Sequence, residues 1–92
     1  LTGHGVGTEL HDDPMISNVI MGPRASTPVM TLGQTLAIEI IYVEGDPILV
    51  LEEDGWTIST RDGKLSAVQE ETVVVTQDGC SILTLPSLFQ IV

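Results

Sequence analysis

Thr2-Gly3-His4-Gly5-Val6-Gly7-Thr8-Glu9-Leu10-His11-Asp12-Asp13-Pro14 is the stretch whose reading governs the rest of the chain. Glycines stand at positions 3, 5 and 7. Alternate side chains of an extended chain share a face, so residues 1–11 read as a strand with a glycine face and with His4 and Val6 on the other side. Glycine in a strand forfeits packing and conformational entropy. The usual reason to accept that is the close approach of another backbone or of a substrate. The plainer alternative is a glycine-rich loop carrying two surface histidines. A dinucleotide fingerprint is excluded, because G-x-G-x-x-G leading into a helix is absent; so is a P-loop, because no Gly-Lys-Ser/Thr follows.

Outward from this stretch the pattern stays β. Residues 12–33 hold Pro14, Pro23 and Pro28 and read as irregular, ending in a turn at Thr31-Leu32-Gly33. Gln34 to Val43 is rich in β-branched and apolar residues and reads as a strand, followed by a short apolar run from Ile48 to Glu52. Three Asp-Gly pairs, at 54–55, 62–63 and 78–79, each mark a tight turn. Between and after them Trp56–Thr60, Leu65–Thr76 and Ser81–Leu85 read as strands. No amphipathic period of useful length occurs; the best helical candidate is residues 86–92, after Pro86. The expected fold is therefore mainly β, a curved antiparallel sheet with few or no helices. An open sheet needs its apolar face covered, and no helix is available to cover it. A missing part of the domain, or a partner, is expected there.

Composition narrows the function classes. Thirteen acidic residues against three basic ones give a net charge of −10. That excludes the clustered Lys and Arg that nucleic acid and anionic membranes require. It is compatible with cation binding. No run is long enough to span a membrane. At 42% hydrophobic residues the chain is not a disordered one. Its 92 residues allow one small domain or part of a larger one. Cys80 is the sole cysteine, which favours a reducing compartment, the cytoplasm. The chain begins at Leu1 rather than Met, which is expected of a processed product or a piece of a longer protein.

Two acidic positions stand out. Glu39 lies within Leu36-Ala37-Ile38-Glu39-Ile40-Ile41 and shares parity with Thr35, Ala37 and Ile41. An ionised carboxylate there is costly unless it faces water, a cation or hydrogen-bond donors. An edge strand with Glu39 outward is the equal alternative. Glu70 and Glu71 open the run Thr72-Val73-Val74-Val75-Thr76, and one must face each side of the sheet. His4, Glu39 and Glu70 form a nitrogen and oxygen set of the kind that holds Zn, Mn, Fe or Co. His11 supplies an imidazole able to exchange protons near neutral pH.

These residues resemble a known family. His4-Gly5-Val6-Gly7, then His11-Asp12-Asp13-Pro14, is similar to the His-Gly-Ile/Val-Gly…His-Glu-x-Pro signature of type I methionine aminopeptidases. Gly33 through Glu39 resembles their Pro-Gly-Met-x-Phe-Thr-Ile-Glu-Pro segment. Asp54-Gly55-Trp56-Thr57, Thr60-Arg61-Asp62-Gly63-Lys64-Leu65-Ser66-Ala67, Glu70 to Thr76, Gly79 and Ile82-Leu83-Thr84 continue the match to about residue 84. The last block points to type I enzymes rather than to prolidases.

The resemblance implies the C-terminal part of an α+β pita-bread fold, with residues 1–92 as a single partial domain whose N-terminal half is absent. It implies removal of N-terminal methionine from peptides with a dinuclear centre of divalent metal ions (Mn, Co, Fe or Zn). His4, Glu39 and Glu70 match three of the five metal ligands, Glu70 in the bridging position. His11 matches the histidine that contacts substrate, and Glu39 the carboxylate that transfers protons. Leu10 and Trp56 match residues of the methionine pocket. The implied partners are peptide N-termini and either the missing N-terminal half or a second copy of the chain.

Three departures qualify the match. The two aspartate ligands and another histidine belong to the family's N-terminal half. Ile40 and Ala37 replace a proline and a threonine. Glu71 replaces the histidine of Glu-His-Thr. The alternative expectation is a half-pita-bread module that binds peptides or partners without catalysis, as a homodimer.

Overall fold

Runs of β-branched and apolar residues pair along their whole length and form the spine of the molecule. In the computed structural model, which describes residues 2–84, the strands are β1 (Gly3–Gly5), β2 (Asp12–Ile16), β3 (Thr35–Val43), β4 (Leu49–Leu51), β5 (Ile58–Thr60), β6 (Ser66–Thr76) and β7 (Gly79–Ile82). β3 and β6 pair antiparallel from Thr35↔Val74 to Val43↔Ser66 without a break. They lie within a five-stranded sheet of order β2-β1-β3-β6-β7, and β4 and β5 form a separate two-stranded sheet. All the pairings are antiparallel. Among the described residues the only helical turn is a 3-10 turn at Arg24–Ser26. The mainly β expectation therefore holds.

The turns follow from their residues. Gly33 has φ +83°, and the Gln34 N–H donates to the Thr31 carbonyl at 3.1 Å, closing the expected turn in front of β3. The β4–β5 hairpin turns through Gly55, at φ +72°, and the Asp54 carboxylate accepts the N–H groups of Trp56 and Thr57 at 2.9 and 2.8 Å. Asp62 ties two connections together by accepting the N–H of Asp46 at 2.7 Å and that of Lys64 at 3.0 Å. These bonds hold the carboxyls of Asp54 and Asp62 below the ordinary carboxylate range, for Asp54 chiefly through the Thr57 hydroxyl.

Two sequence expectations are corrected. The strand expected over residues 1–11 is only Gly3–Gly5, and residues 7–11 instead turn the chain back. The segment expected to be irregular from residue 12 opens with β2. Asp12-Asp13-Pro14 has poor strand propensity, but an edge strand tolerates proline and needs partners on one side only. Here the pairing with β1 decides the conformation. The helical candidate at 86–92 and the end of the strand expected over 81–85 lie outside the described residues.

The core is thin. Among the described residues the buried apolar ones are Leu36, Ala37 and Val73, while Ile40, Tyr42 and Trp56 are exposed. The radius of gyration is 15.9 Å, against about 13 Å for a compact domain of roughly this length. The sheet is thus spread open and not wrapped around a core.

Leu36→Ala is expected to destabilise the chain by about 2–5 kcal/mol, as a fully buried leucine does. Ile20→Ala, at a residue 95% exposed, should stay within about 0.5 kcal/mol of the parent. Urea unfolding of both variants checks the contrast. The Asp54 carboxyl should titrate below its ordinary value of 3.8, read by carboxyl-carbon NMR. Its pKa is depressed by folding, so its contribution to stability is complete above that ordinary value and is lost as pH falls through the folded value.

Candidate functional site

The unbroken β3–β6 register places Glu39 directly opposite Glu70. Antiparallel partners project to the same face, so the two carboxylates meet there. The neighbouring pair is Ala37↔Thr72, and Ala37 also faces His4 on β1. His4 therefore joins the carboxylates on one face, over the small side chain of Ala37. One ligand atom from each of His4, Glu39 and Glu70 lies within 4.8 Å of the others. The alternative of Glu39 on an edge strand is overturned, because β3 lies between β1 and β6.

The His4 imidazole is oriented by its own strand. Its Nδ1 lies 2.7 Å from the Gly5 carbonyl oxygen. A carbonyl only accepts, so Nδ1 carries the proton and donates. That leaves the Nε2 lone pair free, and Nε2 sits 3.8 Å from a Glu70 oxygen. His4 is 9% exposed, whereas the Glu70 side chain is 47% exposed, so the cluster is buried at the imidazole and open at the carboxylate. A borderline nitrogen donor beside two hard oxygen donors fits a divalent first-row cation. Two like charges facing each other across a ladder are unfavourable without one.

The other expected site residues are placed less closely. His11 is exposed, with its ring centroid 4.5 Å from that of His4 and the planes tilted by 56°. Leu10, its neighbour in the β1–β2 connection, is 73% exposed. Trp56 lies in the β4–β5 hairpin, also strongly exposed. Glu71 points to the opposite face, where its carboxylate accepts the Thr84 hydroxyl and takes no part in the cluster. An open groove lined by Ile41, Val43, Val68, Leu49 and Ile58 separates the hairpin from the large sheet. Ile41 and Val68 continue the face of Glu39 and Glu70 along β3 and β6. The Gly5 carbonyl escaped the sequence reading as a functional group; the glycines on either side of His4 were its only trace.

Residues 1–77 match metallopeptidase family M24. Over 83 residues, 90% of the chain, it is 42% identical to methionine aminopeptidase 1 of Mycobacterium tuberculosis and 40% identical to methionine aminopeptidase of Escherichia coli. It covers 30% and 31% of those two proteins. Its structure superposes on methionine aminopeptidase of Thermotoga maritima with a TM-score of 0.83 and 48% identity, covering 90% of the chain and 32% of that structure. The enzyme of Rickettsia prowazekii gives 0.82 and 40%, with coverages of 91% and 34%. The chain belongs to metallopeptidase family M24, a family of metal-dependent peptidases, and its sheet is part of their pita-bread fold. It spans about a third of the length of these relatives.

Without metal, the Glu39–Glu70 opposition should be relieved by Glu70→Gln. That variant is expected to be more stable than the parent by about 0.2–1 kcal/mol, read by urea unfolding in the presence of a chelator.

Proposed function

We propose that this chain is the C-terminal part of a methionine aminopeptidase-type metallohydrolase. It contributes His4, Glu39 and Glu70 to a divalent metal centre, and the remaining ligands come from an N-terminal half in the same polypeptide or in a separate chain. The observation that carries this reading is the convergence of the His4 imidazole with the Glu39 and Glu70 carboxylates on one face of the sheet. A bound divalent cation supplies Lewis-acid polarisation and acidifies water.

The chain's own residues do the rest. His11, exposed beside His4, meets the carbonyl of the first peptide bond and stabilises charge developing on its oxygen. Hydrolysis places the water's hydroxyl on that carbonyl carbon and a proton on the leaving nitrogen. Glu39 takes up the proton and passes it on. The groove beyond the carboxylates, floored by Ile41 and Val68, suits an unbranched apolar side chain, and Leu10 and Trp56, exposed on their two connections, are the further candidates to contact it. The substrate is a peptide with a free N-terminus and methionine first. Neither nucleic acid nor membrane is a partner, in keeping with the net charge of −10. The lone, exposed Cys80 suits the reducing cytoplasm.

A second reading is favoured by the thin core and the exposed Ile40 and Tyr42. In it the chain is a non-catalytic, peptide- or partner-binding module that pairs with a second copy. Its size in solution separates the two: a stable monomer removes the homodimer.

Calorimetric titration with Mn²⁺ or Co²⁺ is expected to show binding that Glu70→Ala removes and Glu71→Ala leaves intact. The thermal midpoint should rise with cation concentration in the parent and in Glu71→Ala only. Supplied with the N-terminal half of the enzyme, the chain should release methionine from a Met-peptide. A folded chain that binds no cation and, so supplemented, cleaves no Met-peptide would refute the enzyme reading.

A further inference from the structure

Gly5 sits where the β1–β2 pairing loses step. His4 faces Met15, but Gly5 faces Asp12, so Asp13 and Pro14 bulge over it. A methyl group built on Gly5 would collide with the Asp13 carbonyl oxygen, lie 2.6 Å from the Asp13 carbonyl carbon and 3.0 Å from the Asp12 oxygen. All three are backbone atoms, so no side-chain rotation relieves the clash. The β2 bulge must lift away, β1 must shift or the Gly5 peptide must turn, and the last two displace the carbonyl that holds His4 Nδ1 at 2.7 Å. Gly7 differs: its nearest neighbour to an added methyl is the Asp12 carboxylate at 3.9 Å, an ordinary contact.

We propose that Gly5 is a positioning residue of the metal site. Its carbonyl locks the His4 imidazole in the Nδ1–H tautomer with Nε2 turned to Glu70, and its lack of a side chain is what allows the β2 bulge to lie against that carbonyl's peptide. This rests on the reading of His4, Glu39 and Glu70 as a cation-binding set. With the carbonyl displaced, the neutral ring is free to carry its proton on Nε2, the atom whose lone pair the cation needs. Groups that orient a ligating histidine typically matter by about 10–100-fold in metal affinity.

The test has two parts. Ring nitrogen–proton correlation NMR of the ¹⁵N-labelled, metal-free chain, at a pH where the imidazoles are neutral, should show His4 as the Nδ1–H tautomer. A His4 found as the Nε2–H tautomer overturns the proposal, whatever the cation does. Calorimetry with Co²⁺ alone should then show affinity lowered about 10–100-fold in Gly5→Ala and unchanged in Gly7→Ala, with His4 no longer held in one tautomer in the first variant. A folded Gly5→Ala that keeps the parent's affinity and His4 tautomer also overturns it. Should Gly5→Ala not fold, the tautomer in the parent still decides. A parent that binds no Co²⁺ but holds His4 as Nδ1–H sinks the cation reading and leaves the orienting role of Gly5 standing.

Discussion

Glu39 stands opposite Glu70 in the middle of an unbroken antiparallel ladder, and everything chemically distinctive in the molecule depends on that opposition. A ladder tolerates facing carboxylates poorly. The surrounding pairs resist its breaking: Leu36 lies against Val73, and Thr35 against Val74, on either side of the buried end of the strand. A slip of one residue would send Glu39 to the opposite face and put Ile38 or Ile40 in its place. The register that buries Leu36 is thus the register that forces the carboxylates together. A divalent cation would turn this local conflict into an attraction, and a sequence that breaks a packing rule in one place does so most often at a functional site.

The histidine is brought to that pair by backbone. β1 has only three residues, and its pairing with β3 places His4 against Ala37. A methyl group on Gly3 would lie 2.7 Å from the Ala37 carbonyl oxygen and 3.3 Å from the Glu39 nitrogen. A side chain at Gly3 would therefore push the histidine strand away from the glutamate strand. Thr35 adds a hydroxyl donated to the Val6 carbonyl, and the Val6 N–H returns a bond to the Thr35 carbonyl at 3.2 Å. The separation of the two backbones from which His4 and Glu39 project is consequently set by a pair of closely packed strands.

Much of this was legible in the residues. The parity of Glu39 with Thr35 and Ala37, the split of Glu70 from Glu71, and the close backbone approach announced by Gly3 and Gly5 all follow from the period of a strand. The three Asp-Gly turns follow from glycine's freedom at positive φ. β2 was not legible, because Asp12-Asp13-Pro14 reads locally as a turn and becomes a strand only through its partner. The tilted contact of His11 with His4 was not legible either, since it depends on how residues 7–11 fold back, which no periodicity encodes. The resemblance to methionine aminopeptidases named Leu10 and Trp56, but not the exposure of both on connections outside the sheet's face. The tautomer of His4 needed coordinates, because it rests on a carbonyl and not on a side chain.

Site geometry and overall stability therefore have separate physical origins. The cluster of His4, Glu39 and Glu70 is fixed by hydrogen-bonded register among β1, β3 and β6, which needs no large core. Global stability depends on apolar burial, and among the described residues that is limited to Leu36, Ala37 and Val73. Net charge −10 adds repulsion to a small core. A cation held by His4, Glu39 and Glu70, as proposed, would act on both: it would neutralise charge where two strands carry it face to face, and it would bind only the register that the folded ladder provides. Its binding free energy would then be folding free energy for the very strands that build the site. Cover over the apolar groove, from whatever source, would add stability without being needed to bring the three ligands together.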